Sequence, residues 1–433
     1  MSQTLPSNSN LEQLRKQAKD LLKGHAAGKV EVCGALRRLR RFARASEEEI
    51  LASSISLSEA QFALAMGYGF KSWPELKRHV EASTGAVTEV EVKQDGRGAW
   101  IAGYEEVDWG WSRDTVDNSF MRCLACALNG AGEEVGYEEL MGLSGAAFRV
   151  QVAQPELCPS AGCAEVGFNC CDPVLEAVGY PMRTIRTQVE SGDGGSKDAD
   201  PETIAQAREA VMESINGGRP AIYATEEHSL LVGYRDSGRI FVIRDYMNMR
   251  EPGYTEKEAL PWAVLVLGKK TVAPDRRDAL IGSLKRGLEL ANTRAFDNYA
   301  SGFAAYDAWI RAIERGFEHL DGEKAFGWHL GNAHCYWTLC NCREAAGVYL
   351  RSIAEELDEE AADHLLNAAE LFDRIRTALN AERECAPFPW RITEENPWTE
   401  ERRARERELL KQALEMDRRA FAEIEQALRV LES

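Results

Sequence analysis

The chain has 433 residues, 44% hydrophobic and 28% charged, the composition of an ordinary soluble protein built from two or three domains. A formal charge of −18 argues against a general nucleic-acid binder, because phosphate contacts need clustered Lys and Arg. No run of about 18 apolar residues is available to span a membrane. The opening MSQTLPSNSN lacks a signal core, so the 11 cysteines are expected to be reduced thiols in a cytoplasmic protein.

Residues 1–83 read as a helical accessory module. Leu11, Leu14, Ala18, Leu21 and Leu22 recur at helical spacing. Ser56–Glu59 and Ser72–Glu75 are capping boxes, the second with Pro74 in the first turn, where its missing N–H costs little. Residues 84–98 read as a linker, with room for one short strand. From 99 to 272 a helix is expected over Asn118–Leu128, mostly loop over Gly142–Asn169, a short helix over Pro173–Val178, a flexible loop over Ser191–Asp200 and a helix over Pro201–Asn216. Strands follow at Ala221–Thr225, Ser229–Tyr234, Ile240–Asp245 and Trp262–Leu267. Helix first and strands after is an α+β order. Residues 273–433 read as a helical bundle, with helices over Arg276–Thr293, Tyr299–Arg315, Asn332–Glu356, Glu359–Asn380 and Glu400–Leu431.

The charge is uneven. Residues 1–85 hold 13 Lys and Arg against 9 Asp and Glu, about +4, which leaves about −22 for the rest. That excess, with a helix-turn-helix-like pattern over Leu57–His79, permits a DNA-binding alternative for the N-terminal module. Against it, the second helix begins with Trp73 and Pro74, which do not read bases. The runs Leu11–Leu22 and Tyr68–Lys77 resemble a helical segment found ahead of bacterial ankyrin repeats, which implies a docking module for a protein partner.

The chemistry centres on two strands joined by Arg235–Gly238. His228 opens the first and Asp245 closes the second, and in a tight antiparallel pair those ends lie side by side. A His with a carboxylate beside it is the base and orienter of a nucleophilic site. The facing nucleophile is expected on the Asn118–Leu128 helix, where Cys123 stands. Cys123 and Cys126 also read as buried packing residues. Cys158, Cys163, Cys170 and Cys171 offer four thiols, but adjacent cysteines rarely share a tetrahedral site, so no metal and no cofactor is expected; a pocket-lining loop fits better. That loop is also a second route by which a thiol reaches His228. Trp109, Trp111, Cys158, Asn169 and Tyr246 are the candidate ligand-binding residues.

The run Ser119–Leu124, then Gly132–Leu140, resembles the first helix and following turn of bacterial papain-like cysteine peptidase families. The His228 and Asp245 strands are similar to those families' second half. The likeness is to the butirosin-biosynthesis acyltransferase-like and double-glycine leader peptidase-like proteins, over roughly residues 100–270. It implies a papain-like central domain, a helix packed on an antiparallel sheet, with a helical C-terminal domain. The family's cysteine falls on Ser119, and Arg113 stands where the family carries an oxyanion-donating Gln. Two readings stay open: acyl transfer or amide hydrolysis on a small molecule or peptide, and a catalytically inactive protein that binds or senses a ligand in the same cleft.

Overall fold

In a computed structural model of the chain, residues 11–42, 44–68, 70, 73, 76, 91–110, 117–191, 195–248 and 251–433 are described. The chain divides into two units, Met1–Glu89 and Val90–Ser433.

The first unit holds α1 (Leu11–Ala26), α2 (Cys33–Leu36), α3 (Glu47–Ala52) and α4 (Leu57–Gly67). Leu14 and Ala18 are buried on the face the periodicity marks. The Ser56 box forms as expected: Ser56 Oγ accepts from the Glu59 N–H at 3.2 Å, and Glu59 accepts from the Ser56 N–H at 2.8 Å. Ser46 and Glu49 make the same reciprocal pair at the start of α3. The Ser72–Glu75 box lies outside the described residues, as does most of the second half of the helix-turn-helix-like stretch.

The second unit is mixed helix and sheet. It opens with a hairpin of β1 (Val92–Asp95), inside the stretch read as linker, and β2 (Gly98–Ile101), which begins where that stretch ends. There follow α5 (Ser119–Gly130), α6 (Tyr137–Ser144), β3 (Gln151–Ala153), α7 (Cys171–Val178) and β4 (Met182–Arg186). Next come the hairpin β5 (Gln188–Glu190) and β6 (Ser196–Asp198), then α8 (Pro201–Asn216). The strands β7 (Ala221–Ala224), β8 (His228–Arg235), β9 (Ile240–Arg244), β10 (Thr255–Lys257) and β11 (Ala263–Leu267) complete the main sheet. The C-terminal region is helical: α9 (Arg276–Asn292), then β12 (Ala295–Phe296) and β13 (Tyr299–Ser301), then α10 (Gly302–Arg315), α11 (Gly322–Ala354), α12 (Glu359–Ala381) and α13 (Glu400–Leu431).

Strand β8 is the hub of an antiparallel sheet. β7 pairs with its first half and β2 with its second, and β9 runs along the other side. β7 continues to β11 and then to β4, which ends the sheet. Every residue of β7 and β9 is buried, and each buried Val, Ile or Leu contributes roughly 1.5–3 kcal/mol. A register shift between Leu231 and Gly233 marks a bulge in β8.

Three expectations are corrected. The Gly142–Asn169 stretch contains a strand, β3, because Gln151–Ala153 pairs with Tyr299–Ser301 far along the chain. Tyr299–Ser301 is correspondingly strand, and the helix expected there starts at Gly302. Part of Ser191–Asp200 is also strand, since β6 pairs with β5. Long-range pairing leaves no periodic mark in segments of three residues.

The middle and C-terminal stretches share one core. Gly142 lies against the Tyr349 ring. Buried Arg343 donates to the Ala147 carbonyl at 3.0 Å and pairs with Asp417 at 2.5 Å. The Tyr137 hydroxyl donates to Asn341 at 2.7 Å. Together these ties hold α6, and through it the amino end of α5, against α11. No helix among the described residues is long and apolar enough to cross a membrane.

Candidate functional site

The site forms where α5 begins. Asn118 caps that helix, its side-chain oxygen accepting from the Met121 N–H at 3.1 Å, while its own N–H donates to the Tyr137 hydroxyl at 2.7 Å. Before the cap, buried Asp117 is held by Arg122 and by Asn341 Nδ2 at 3.2 Å. Ser119 is thereby fixed as the first residue of the helix, 4% exposed.

The expected juxtaposition of this helix end with the start of β8 is present. The His228 N–H donates to Ser119 Oγ at 3.0 Å, and the His228 ring meets Phe120 edge-on with centroids 5.5 Å apart. Ser119 does not point its hydroxyl at the imidazole, however. It donates to Glu227 Oε2 at 2.6 Å. Burial pushes the Glu227 carboxyl up to about 7, against the opposing effect of the Ser119 bond. Burial also holds the His228 imidazole down at about 4, and its Nε2 is buried without a hydrogen-bond partner among the described residues.

Asp245 is not the orienter of His228. Antiparallel register carries Leu230 opposite Arg244, so Ser229 stands opposite Asp245, and His228 projects to the other face of the sheet. The Asp245 carboxylate pairs with Lys257 Nζ at 2.8 Å and accepts from Ser229 Oγ at 3.4 Å and the Met247 N–H at 3.1 Å. Cys123 is fully buried one turn into α5, and burial drives its thiol well above the ordinary range. Among the described residues no hydrogen bond joins Cys123 or Asp245 to His228.

No family model matches the chain, and no curated protein matches it.

The Cys-rich loop does come to this end of β8. Cys163 Sγ donates to the Glu226 carbonyl at 3.8 Å, with its thiol pushed up to about 11, first by burial and then by Glu227. Arg149 pins the loop by donating to the carbonyls of Cys163 at 2.9 Å, Phe168 at 3.2 Å and Gly162 at 3.1 Å. Cys158 Sγ accepts from Ser160 Oγ at 3.0 Å. Asn169 Oδ1 accepts from the Cys171 N–H at 2.8 Å, just before α7, and the residue lines a cavity of about 1040 Å³ that Phe120 also borders. The Trp109 and Tyr246 rings meet at 5.4 Å but are buried at 1% and 4% exposure, which makes them packing residues. Trp111 lies outside the described residues.

Sequence reasoning missed Glu227. Its signal was available: a carboxylate directly before a strand whose first six residues are buried faces desolvation unless a donor meets it. It also missed the cavity's far wall, the five residues of β4.

Proposed function

We propose that this is a ligand-binding or sensing protein, using the cavity between α5, α7 and β4 on a papain-like arrangement that does not run thiol chemistry. A single observation carries the reading. The groups a thiol enzyme would align are each engaged elsewhere or buried: Ser119 with Glu227, Asp245 with Lys257, and Cys123 inside α5. The succession of α5 and then β7, β8 and β9, with Ser119 against the start of β8, supports the papain-like part of the reading. The cavity volume suits a small molecule or short peptide. Its wall mixes apolar residues such as Phe120 and Leu175 with both charge signs, Arg183, Arg186 and Lys197 alongside Glu165, Asp172, Asp198 and Asp200. The test is a thermal-shift and calorimetric screen of amino acids, dicarboxylates, polyamines and short peptides on the full chain. A ligand whose binding is lost in Leu175→Trp, which fills the cavity, supports the reading; binding indifferent to that substitution, or no binding, overturns it.

One observation favours a second reading, acyl transfer or amide hydrolysis by Ser119. A hydroxyl at a helix amino end, 2.6 Å from a carboxylate that titrates near neutrality, has a base to receive its proton. A fluorophosphonate probe decides it. Labelling at Ser119 that disappears in Glu227→Gln supports an enzyme; an unlabelled Ser119 removes it.

A further inference from the structure

We propose that the cavity takes an extended acidic peptide segment, which adds as a further strand to the free edge of β4. This rests on the binding reading above and names its ligand.

The edge is available and enclosed by the cavity. β4 pairs with β11 on one side and, among the described residues, ends the sheet on the other. The Gly268 N–H donates to the Pro181 carbonyl at 2.8 Å, and the Thr187 N–H donates to the Trp262 carbonyl at 3.0 Å. Antiparallel alternation therefore aims the backbone groups of residues 183 and 185 at β11, and those of Met182, Thr184 and Arg186 away from it. Thr184 and Ile185 project to opposite faces of the sheet, yet both line the same cavity, with Phe120 from α5 and Thr203 from α8. A cavity reached from both faces wraps the strand's edge. A ligand filling it meets a row of outward N–H and C=O groups, the pattern an added strand satisfies.

Charge selects the occupant. Arg183, Arg186 and Lys197 line the cavity, and none makes an ion pair or side-chain hydrogen bond with a described residue. The lining also holds Glu165, Asp172, Asp198 and Asp200; Asp200 caps α8 through the Glu202 and Thr203 N–H groups and Asp172 accepts from Asn169, while on β4 itself the only charged residues are Arg183 and Arg186. Charges on an edge repel unselective pairing, and a strand carrying matched carboxylates relieves that repulsion. Arg183 and Arg186 are three residues apart on opposite faces of β4, so carboxylates three residues apart on an added strand would stand opposite both.

The experiment is fluorescence anisotropy on the full chain. The probe is a labelled, capped hexapeptide with glutamates at its second and fifth positions and valine or threonine elsewhere. Saturable binding is expected, weakened about tenfold or more by the double variant Arg183→Glu/Arg186→Glu. It should also be weakened by Thr184→Pro, which removes one outward N–H and leaves the β11 bonds intact. An alternately N-methylated version of the peptide tests the backbone pairing without altering the protein, and should not bind. If the N-methylated peptide binds equally well, or a lysine version binds equally well, the strand-addition inference is overturned. If glutarate binds the cavity and the hexapeptide does not, the peptide is wrong while the cavity reading stands. If neither these probes nor the wider ligand screen bind, both fall.

Discussion

Ser119 Oγ donates a 2.6 Å hydrogen bond to Glu227 Oε2 and at the same time accepts the His228 N–H at 3.0 Å. One hydroxyl thus joins the first residue of α5 to the residues that open β8. Replacing it by Ser119→Ala leaves a buried carboxyl and a buried N–H without their partner, at about 1–3 kcal/mol. The melting temperature should fall by several degrees. The Glu227 titration should also move further upward, because the lost bond was the one lowering it. Differential scanning calorimetry and a carboxyl NMR titration check the two effects; an unchanged melting point would mean the hydroxyl is not shared as described.

Glu227 gives the protein a pH signature of definite sign. Its carboxyl binds its proton up to about 7 when folded, against an ordinary value of 4.5. Its contribution therefore favours the folded state below about 4.5 and is lost as pH rises through 7. The gap at about 1.4 kcal/mol per pH unit is on the order of 3 kcal/mol. His228 acts in the opposite sense. Its ring, held at about 4 by burial, contributes stability above the ordinary 6.5 that is lost as pH falls toward 4. Glu227→Gln should thus gain on the wild type between pH 5 and pH 8 in urea unfolding, whereas parallel profiles would contradict the burial of that carboxyl.

Asp245→Asn separates position along the chain from role. The carboxylate serves Lys257 and Ser229, on the face of the sheet away from His228. The substitution should cost about 1–2 kcal/mol through the lost ion pair. The His228 ring should still titrate near 4, as followed by the NMR of its carbon-bound protons. A displaced His228 midpoint would restore Asp245 as its orienter.

Gly142 allows α6 and α11 to meet. A Cβ there would stand 2.1 Å from Tyr349 Cγ, inside a contact that also places the Tyr349 hydroxyl 2.6 Å from Ser283 Oγ. Gly142→Ala therefore has to displace a buried ring, at about 1–3 kcal/mol or more. Because the clash lies between the middle and C-terminal stretches, both should lose stability together. Limited proteolysis that releases a stable 99–272 fragment would argue against the shared core.

Which features could be read from sequence follows from their range. The helix from Pro201 to Asn216 and the one from Glu400 to Leu431 are bounded as expected, since capping residues and 3.6-residue periodicity are local signals. The meeting of Ser119 with the start of β8 was also legible, through the resemblance of the Ser119–Leu124 run and the His228 strand to papain-like families. The Asp245 assignment failed on parity: a shift of one residue in antiparallel register exchanges the faces of the sheet, and spacing alone does not fix that register. Glu227 was passed over because a carboxylate beside a histidine in sequence reads as a solvated strand end, and its inward turn depends on Ser119, 108 residues away. The β3–β13 pairing and the cavity at β4 depend on tertiary contacts that short segments do not announce.

Cys123 supplies the sharpest test of thiol chemistry. Nucleophilic cysteines sit in partly exposed, electropositive surroundings that favour the thiolate, and a buried thiol among apolar groups is inert. Cys123 is 0% exposed, and burial raises its thiol well above the ordinary range; Cys126, on the next turn, is pushed up to about 11. The amino end of α5 is occupied by Ser119, so the helix dipole has its strongest effect on a hydroxyl and not on a sulfur. With iodoacetamide at pH 7.5, Cys123 should label more slowly than an unstructured cysteine peptide and reach the peptide's rate only in denaturant. Peptide mapping by mass spectrometry assigns the site. Rapid labelling of Cys123 in the folded protein would mean that α5 opens to expose an activated thiol, and the thiol-enzyme reading would regain its nucleophile.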